Sequence, residues 1–230
     1  MTAARKPHVQ RPAARRGSPK PGSIVVTGFE PFGDLALNPT AWAVEALLAA
    51  RPVPDLVGHV LPVAYDEATR TIEAILDTRP RAMLMLGVSK NAVAIQVERY
   101  AHNLDDARAP DNRGTTRVDR PIDPTGPVAY AASVPVLAIR DGLCAAGIPA
   151  QVSSTAGHYL CNHAYYRALH GATARGLDLA VGFLHVPVFP DQAAQIEPRP
   201  PSMSRETLIT GVILALQLIA ASSDTAAAAL

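Results

Sequence analysis

Residues 150–187 read AQVSSTAGHYLCNHAYYRALHGATARGLDLAVGFLHVP, and they divide into strand, helix and strand. Ala150–Ser154 is a short extended run. Tyr159–Ala174 carries apolar residues at helical spacing, and Leu179–His185 is a continuous apolar stretch of the kind buried on both faces of a sheet. The same alternation extends to both sides. Ile24–Thr27, Leu56–Val63 and Ala82–Leu86 read as strands, with Ala92–Val97 a further one. Ala41–Ala50 reads as a helix with Thr40 as its N-cap candidate, and Glu67–Leu76 as an amphipathic helix. Val136–Ala146 is helical up to Gly147, and Glu206–Ala220 is a closing helix. Helices alternating with strands predict an α/β fold: a three-layer sandwich whose twisted, mostly parallel sheet carries helices on both faces.

The length of 230 residues suits one well-buried domain, expected over 23–222, since two halves would each have a thin core. Residues 1–22 carry Arg5, Lys6, Arg11, Arg15, Arg16 and Lys20, four prolines and no acidic side chain, and they read as a disordered basic tail. Removing these six cations leaves 15 basic against 20 acidic side chains, a net charge of −5. Residues 223–230 read as a flexible C-terminal tail. With 48% apolar and 18% charged residues and an overall net charge of +1, the composition is that of an ordinary soluble globular protein, and no nucleic-acid or membrane partner is expected. The longest apolar stretch, Leu208–Ala221, is shorter than the roughly 20 residues that cross a bilayer. The two cysteines, Cys144 and Cys161, form no CxxC pair and no zinc spacing, which suits a reducing cytosol, and neither metal nor cofactor is implied. Asn103–Pro127 has no apolar period, and a long irregular loop inside a compact domain is usually functional.

Cys161 falls where the strand beginning at Ala150 passes through small residues into a helix, so it is placed in the first helical turn. Free N–H groups and the helix dipole there favour an anion and offer donors to a developing oxyanion. A free cysteine also serves as a small core hydrophobe, the reading given to Cys144 in the apolar context Gly142-Leu143-Cys144-Ala145. His185 ends an apolar strand, on the side of an open α/β sheet where ligands bind, and is the base candidate ahead of His158 and His163. Glu98, at the end of Ala92–Val97, is the candidate for orienting the imidazole, although a carboxylate there also suits a solvated strand end. The glycine-bounded turn holding Phe29 and Phe32 lacks phosphate-loop spacing and suits an apolar wall for a small flat ligand.

Four blocks, GFEPFG (28–33) with NPT (38–40), VERYAHNLDDARAPDN (97–112), STAGHYLCN (154–162) and GFLHVP (182–187), together resemble the pyroglutamyl peptidase I, or pyrrolidone-carboxylate peptidase, family across about residues 24–190. The resemblance implies a phosphorylase-like α/β fold and a cysteine exopeptidase that hydrolyses the amide after an N-terminal pyroglutamyl residue. Cys161 would be its nucleophile, His185 its general acid/base and Glu98 the orienting acid. It further implies that Phe29 and Phe32 sandwich the pyrrolidone ring, that Asn38 lies at the ring's amide edge, and that Tyr159 and Leu160 complete the pocket. Arg108 would assist the oxyanion beside the Cys161 N–H, and the assembly would be a homotetramer. Two departures stand out: Gly87-Val88-Ser89-Lys90-Asn91-Ala92 replaces a glycine-rich stretch with an arginine common in bacterial members, and Ala109 replaces a larger aliphatic. A thiol amidase or thioesterase on another small cyclic or acyl compound, and a binding protein that keeps the pocket without turnover, are the alternatives.

Overall fold

Buried β-branched and sulfur-containing runs define the sheet. Ile24, Val25 and Val26, and likewise Ala82 to Leu86, are wholly inaccessible to water, as strands covered on both faces must be. The computed structural model describes residues 20–33 and 36–228. In chain order the elements are β1 (Ile24–Phe29), α1 (Pro39–Ala50), β2 (Leu56–Leu61), α2 (Tyr65–Asp77), β3 (Ala82–Val88), β4 (Ile95–Glu98), β5 (Tyr100–His102) and β6 (Asp105–Ala107). There follow β7 (Arg117–Arg120), β8 (Ala129–Ala131), α3 (Val136–Ala145), β9 (Ala150–Ser153), α4 (Leu160–Ala174), β10 (Ala180–Val186), α5 (Pro190–Ala193) and α6 (Arg205–Ala228).

The central sheet has the order β2-β1-β3-β10-β4-β9. Its pairs are parallel except β10 with β4, so β4 and β9 run against the other four strands. Alternate residues feed two cores. Ile24, Val26, Leu84, Leu86 and Leu184 pack under α1, α3 and α6, whereas Val25, Met83, Met85, Val181 and Phe183 pack under α2 and α4. The three layers expected from the alternation are therefore present.

Several local expectations are corrected. Asn38, not Thr40, caps α1: its Oδ1 accepts from the Thr40 backbone N at 3.0 Å, and Pro39 opens the helix. Residues 1–19 of the expected tail lie outside the described residues. Pro21 and Gly22, also assigned to that tail, form a turn in which the Gly22 N–H donates to the Arg79 carbonyl at 3.1 Å. The closing helix does not stop at Ala220 but continues through Ala228, into the stretch read as a tail. Over Arg205–Ser223 it is long and apolar enough to cross a bilayer, contrary to expectation. Its inward residues Leu208, Val212, Ala215, Leu216 and Ile219 are fully buried against the sheet, so here it is a core helix. The irregular region 103–127 and its flanks contain two small antiparallel ribbons, β5 with β8 and β6 with β7.

Candidate active site

The reversed direction of β4 is what brings a carboxylate to His185. In the antiparallel β10–β4 register His185 faces Gln96, which leaves Glu98 as its diagonal neighbour on the same face. His185 Nδ1 bonds Glu98 Oε1 at 2.8 Å, with Glu98 fully buried and His185 nearly so. Cys161 approaches the same face from α4, one turn before Tyr165, whose ring lies 5.4 Å from that of Phe183. The sulfur sits over Gly87, which pairs with His185 across β3 and β10: a Cβ at Gly87 would lie 2.9 Å from the Cys161 Sγ. Burial disfavours a charged imidazole. The neighbouring Cys161 sulfur, with its hydrogen bond to the ring, and the Glu98 carboxylate outweigh that, and His185 is pushed up to about 9. The rival bases are elsewhere: His163 is held between Asp105 and Thr69, and His158 is exposed.

The start of α4 has no side-chain cap. Among the described residues the first-turn N–H groups of Leu160, Cys161 and Asn162 have no acceptor, so they remain available to an anion. Arg108 is exposed, and its guanidinium makes no ion pair among the described residues. The segment carrying it is pinned beside α4, because the Asp106 N–H donates to the His158 carbonyl at 2.9 Å and the Tyr159 hydroxyl to the Pro110 carbonyl at 3.0 Å.

Phe29, Leu160, Phe32, Tyr159 and Cys161 belong to one cluster. Their parts differ from expectation. Phe29 is 3% exposed and Leu160 2%, so they are packed into the core, while Phe32 and Tyr159, 6.4 Å apart, are only half-buried. Tyr65, which the sequence did not single out, backs Tyr159 edge-on at 5.9 Å. Asn38, expected at the ring's amide edge, directs its side-chain bonds within the loop. It is buried, its Oδ1 accepts from the Thr40 N and Oγ1, and its Nδ2 donates to the Glu30 carbonyl at 3.1 Å. Its position shapes the aromatic loop all the same, since Thr40 Oγ1 accepts the Phe29 N–H at 2.9 Å. That contact requires Gly28, because a Cβ there would meet the Thr40 carbonyl oxygen at 2.5 Å. Cys144 is exposed rather than core, and its sulfur reaches the Ala150 carbonyl at 3.5 Å.

A thiol at an uncapped helix start, a buried imidazole beside it and a buried carboxylate behind are the kind of arrangement that a cysteine-dependent hydrolase on an α/β sheet requires. The family model described as pyroglutamyl peptidase matches residues 22–222. The pyrrolidone-carboxylate peptidase of Vibrio vulnificus is 41% identical over 82% of this chain and 88% of its own length. That of Gloeobacter violaceus is 38% identical over 85% and 96%. Among solved structures, the pyrrolidone carboxyl peptidase of Thermococcus litoralis superposes with a TM-score of 0.83 at 35% identity, covering 89% of this chain and 96% of the other. Pyroglutamyl peptidase I of Bacillus amyloliquefaciens gives 0.82 at 31%, covering 88% and 98%. The chain belongs to the pyroglutamyl peptidase family.

Proposed function

We propose that the chain removes the N-terminal pyroglutamyl residue from peptides, with Cys161 as nucleophile, His185 as general acid/base and Glu98 as the group that orients the imidazole. The observation that carries this reading is the line of Glu98, His185 and Cys161 across Gly87, in a chain of this family. The raised His185 keeps the imidazole protonated beside the Cys161 sulfur at neutral pH. The thiolate attacks the carbonyl joining pyroglutamate to the next residue, and the resulting oxyanion is met by the Cys161 N–H and the Arg108 side chain. His185 then gives its proton to the leaving amine as the C–N bond breaks, leaving a pyroglutamyl thioester. Water, deprotonated by His185, attacks that thioester and releases pyroglutamate, and the proton returns the pair to its starting state. Phe32 and Tyr159 hold the pyrrolidone ring above Phe29 and Leu160.

Assembly into a homo-oligomer, a tetramer by the family resemblance, belongs to the same reading. Two free cysteines support a cytoplasmic setting. The test compares coumarin amides of pyroglutamate, proline and acetate. Release confined to the pyroglutamyl compound, sensitive to iodoacetamide and lost in Cys161→Ser, is expected, whereas release from the other amides alone overturns the reading.

A further inference from the structure

The loop that carries Phe32 and the segment that follows Arg108 are joined by one side chain from each. Glu30 lies just beyond β1, two residues before Phe32. Its Oε1 accepts the Val63 N–H at 3.0 Å and the Asn112 Nδ2 at 2.9 Å. Asn112 lies in the connection from β6 to β7, four residues after Arg108. Its Nδ2 also donates to the Pro31 carbonyl at 3.1 Å, and its backbone N–H to the Val63 carbonyl at 2.8 Å. Each end of the link is independently fixed. The Glu30 N–H donates to the Leu61 carbonyl at 3.0 Å, and the Glu30 carbonyl takes the Asn38 amide.

On the other side Asp111 accepts the Tyr65 N–H at 3.1 Å, closing the start of α2, which Ala64 cannot cap. Burial works against the Asp111 charge, but the N–H groups of Thr115, Tyr65 and Arg113 outweigh it and hold its carboxyl below the usual range. Asp111 is thus a rigid anchor, and Asn112 projects from it onto the aromatic loop.

We infer that Glu30 and Asn112 are positioning residues, a clasp that sets the spacing between the Phe32 wall and the Arg108 segment. This rests on the reading of Phe32, Tyr159 and Arg108 given above. The bond is at the surface, so it adds little to global stability, but a wall misplaced by about 1 Å weakens catalysis by as much as 100-fold. Asn112 and Glu30 touch no reacting atom. They act through the two loops.

Charge makes the clasp testable. Asn112→Asp removes the donor and sets a second carboxylate against Glu30; the other charges around it are Asp111 and the Arg113–Glu67 pair. At about pH 8 this variant is expected to raise KM by about tenfold with an unchanged Tm, and the deficit relative to wild type narrows at about pH 5.5, where two facing carboxylates share a proton. Glu30→Gln alone keeps an acceptor for Val63 and Asn112, so its KM stays within about threefold of wild type. Combined with Asn112→Asp it restores KM at about pH 8, because the new amide donates to the new carboxylate. An unchanged KM in Asn112→Asp, or a loss equal at both pH values and not relieved by Glu30→Gln, overturns the clasp. Wild-type turnover is read in the same series. Its absence refutes the functional reading, while normal wild-type turnover with unresponsive variants refutes the clasp alone.

Discussion

Adding one methyl group at Gly87 tests the packing on which the active site depends. A Cβ there would stand 2.7 and 2.8 Å from Phe183 Cζ and Cε1 and 2.9 Å from the Cys161 sulfur, where ordinary contacts begin at 3.4 Å. The Phe183 ring cannot easily retreat, being 1% exposed and wedged against Tyr165 at 5.4 Å and His185 at 4.9 Å. The sulfur, on a half-buried residue, gives way first and leaves its position beside the imidazole. Overpacking of this size costs about 1–3 kcal/mol, which a domain with roughly 5–15 kcal/mol of stability survives. Displacing the sulfur by about half an ångström is expected to lower kcat/KM by about tenfold, on the scale of up to about 100-fold for 1 Å. The assay is steady-state release from a pyroglutamyl coumarin amide by Gly87→Ala, with iodoacetamide alkylation and thermal melting measured in parallel. A kcat/KM within about threefold of the parent would refute the reasoning, since the pocket would then have room that the close approach denies.

Glu98→Gln keeps the shape but removes the charge behind His185, and kcat is expected to fall by roughly 10²–10⁴-fold. The pH profile carries the sign of the His185 shift: the imidazolium persists beside the sulfur up to about 9, so kcat/KM falls above that value, and in Glu98→Gln the fall begins at lower pH. Because His185 is raised from 6.5, the stability that the pair contributes is complete below 6.5 and lost as the pH rises through about 9, which melting curves across that window will record. Asn38→Ala removes a buried cap and is expected to cost about 0.5–2 kcal/mol in denaturant unfolding, with a raised KM as the aromatic loop loosens. Cys144→Ser removes an exposed thiol far from the chemistry, leaving kcat/KM unchanged while one fewer thiol reacts with a disulfide reagent.

Apolar runs and helical periodicity were legible because burial on both faces of β1, β3 and β10 demands them. Cys161, His185 and Glu98 were legible through their places at element ends and the family resemblance, and His185 and Glu98 are indeed joined in space. What could not be read was pairing. The reversal of β4, which puts Glu98 diagonal to His185, and the pairing of Gly87 with His185 depend on strand order. The three- and four-residue strands β5 to β8 have no period long enough to detect. Two misreadings had usable signals. Pro39 favours the first helical position and so points to Asn38 as the cap. In α3 the buried positions Val136, Ile139 and Leu143 fix the inward face, and Cys144, one residue on, turns about 100° away from it.

The central claim, that Cys161 forms an acyl intermediate with pyroglutamate, is tested most directly by mixing the protein with a pyroglutamyl ester, quenching with acid within the first turnover, and mapping the adduct by peptide mass spectrometry. A single pyroglutamyl group on the peptide containing Cys161, absent from Cys161→Ser and from protein alkylated beforehand, is the predicted result. Full turnover with no adduct at Cys161, or hydrolysis retained by Cys161→Ser, would contradict the account.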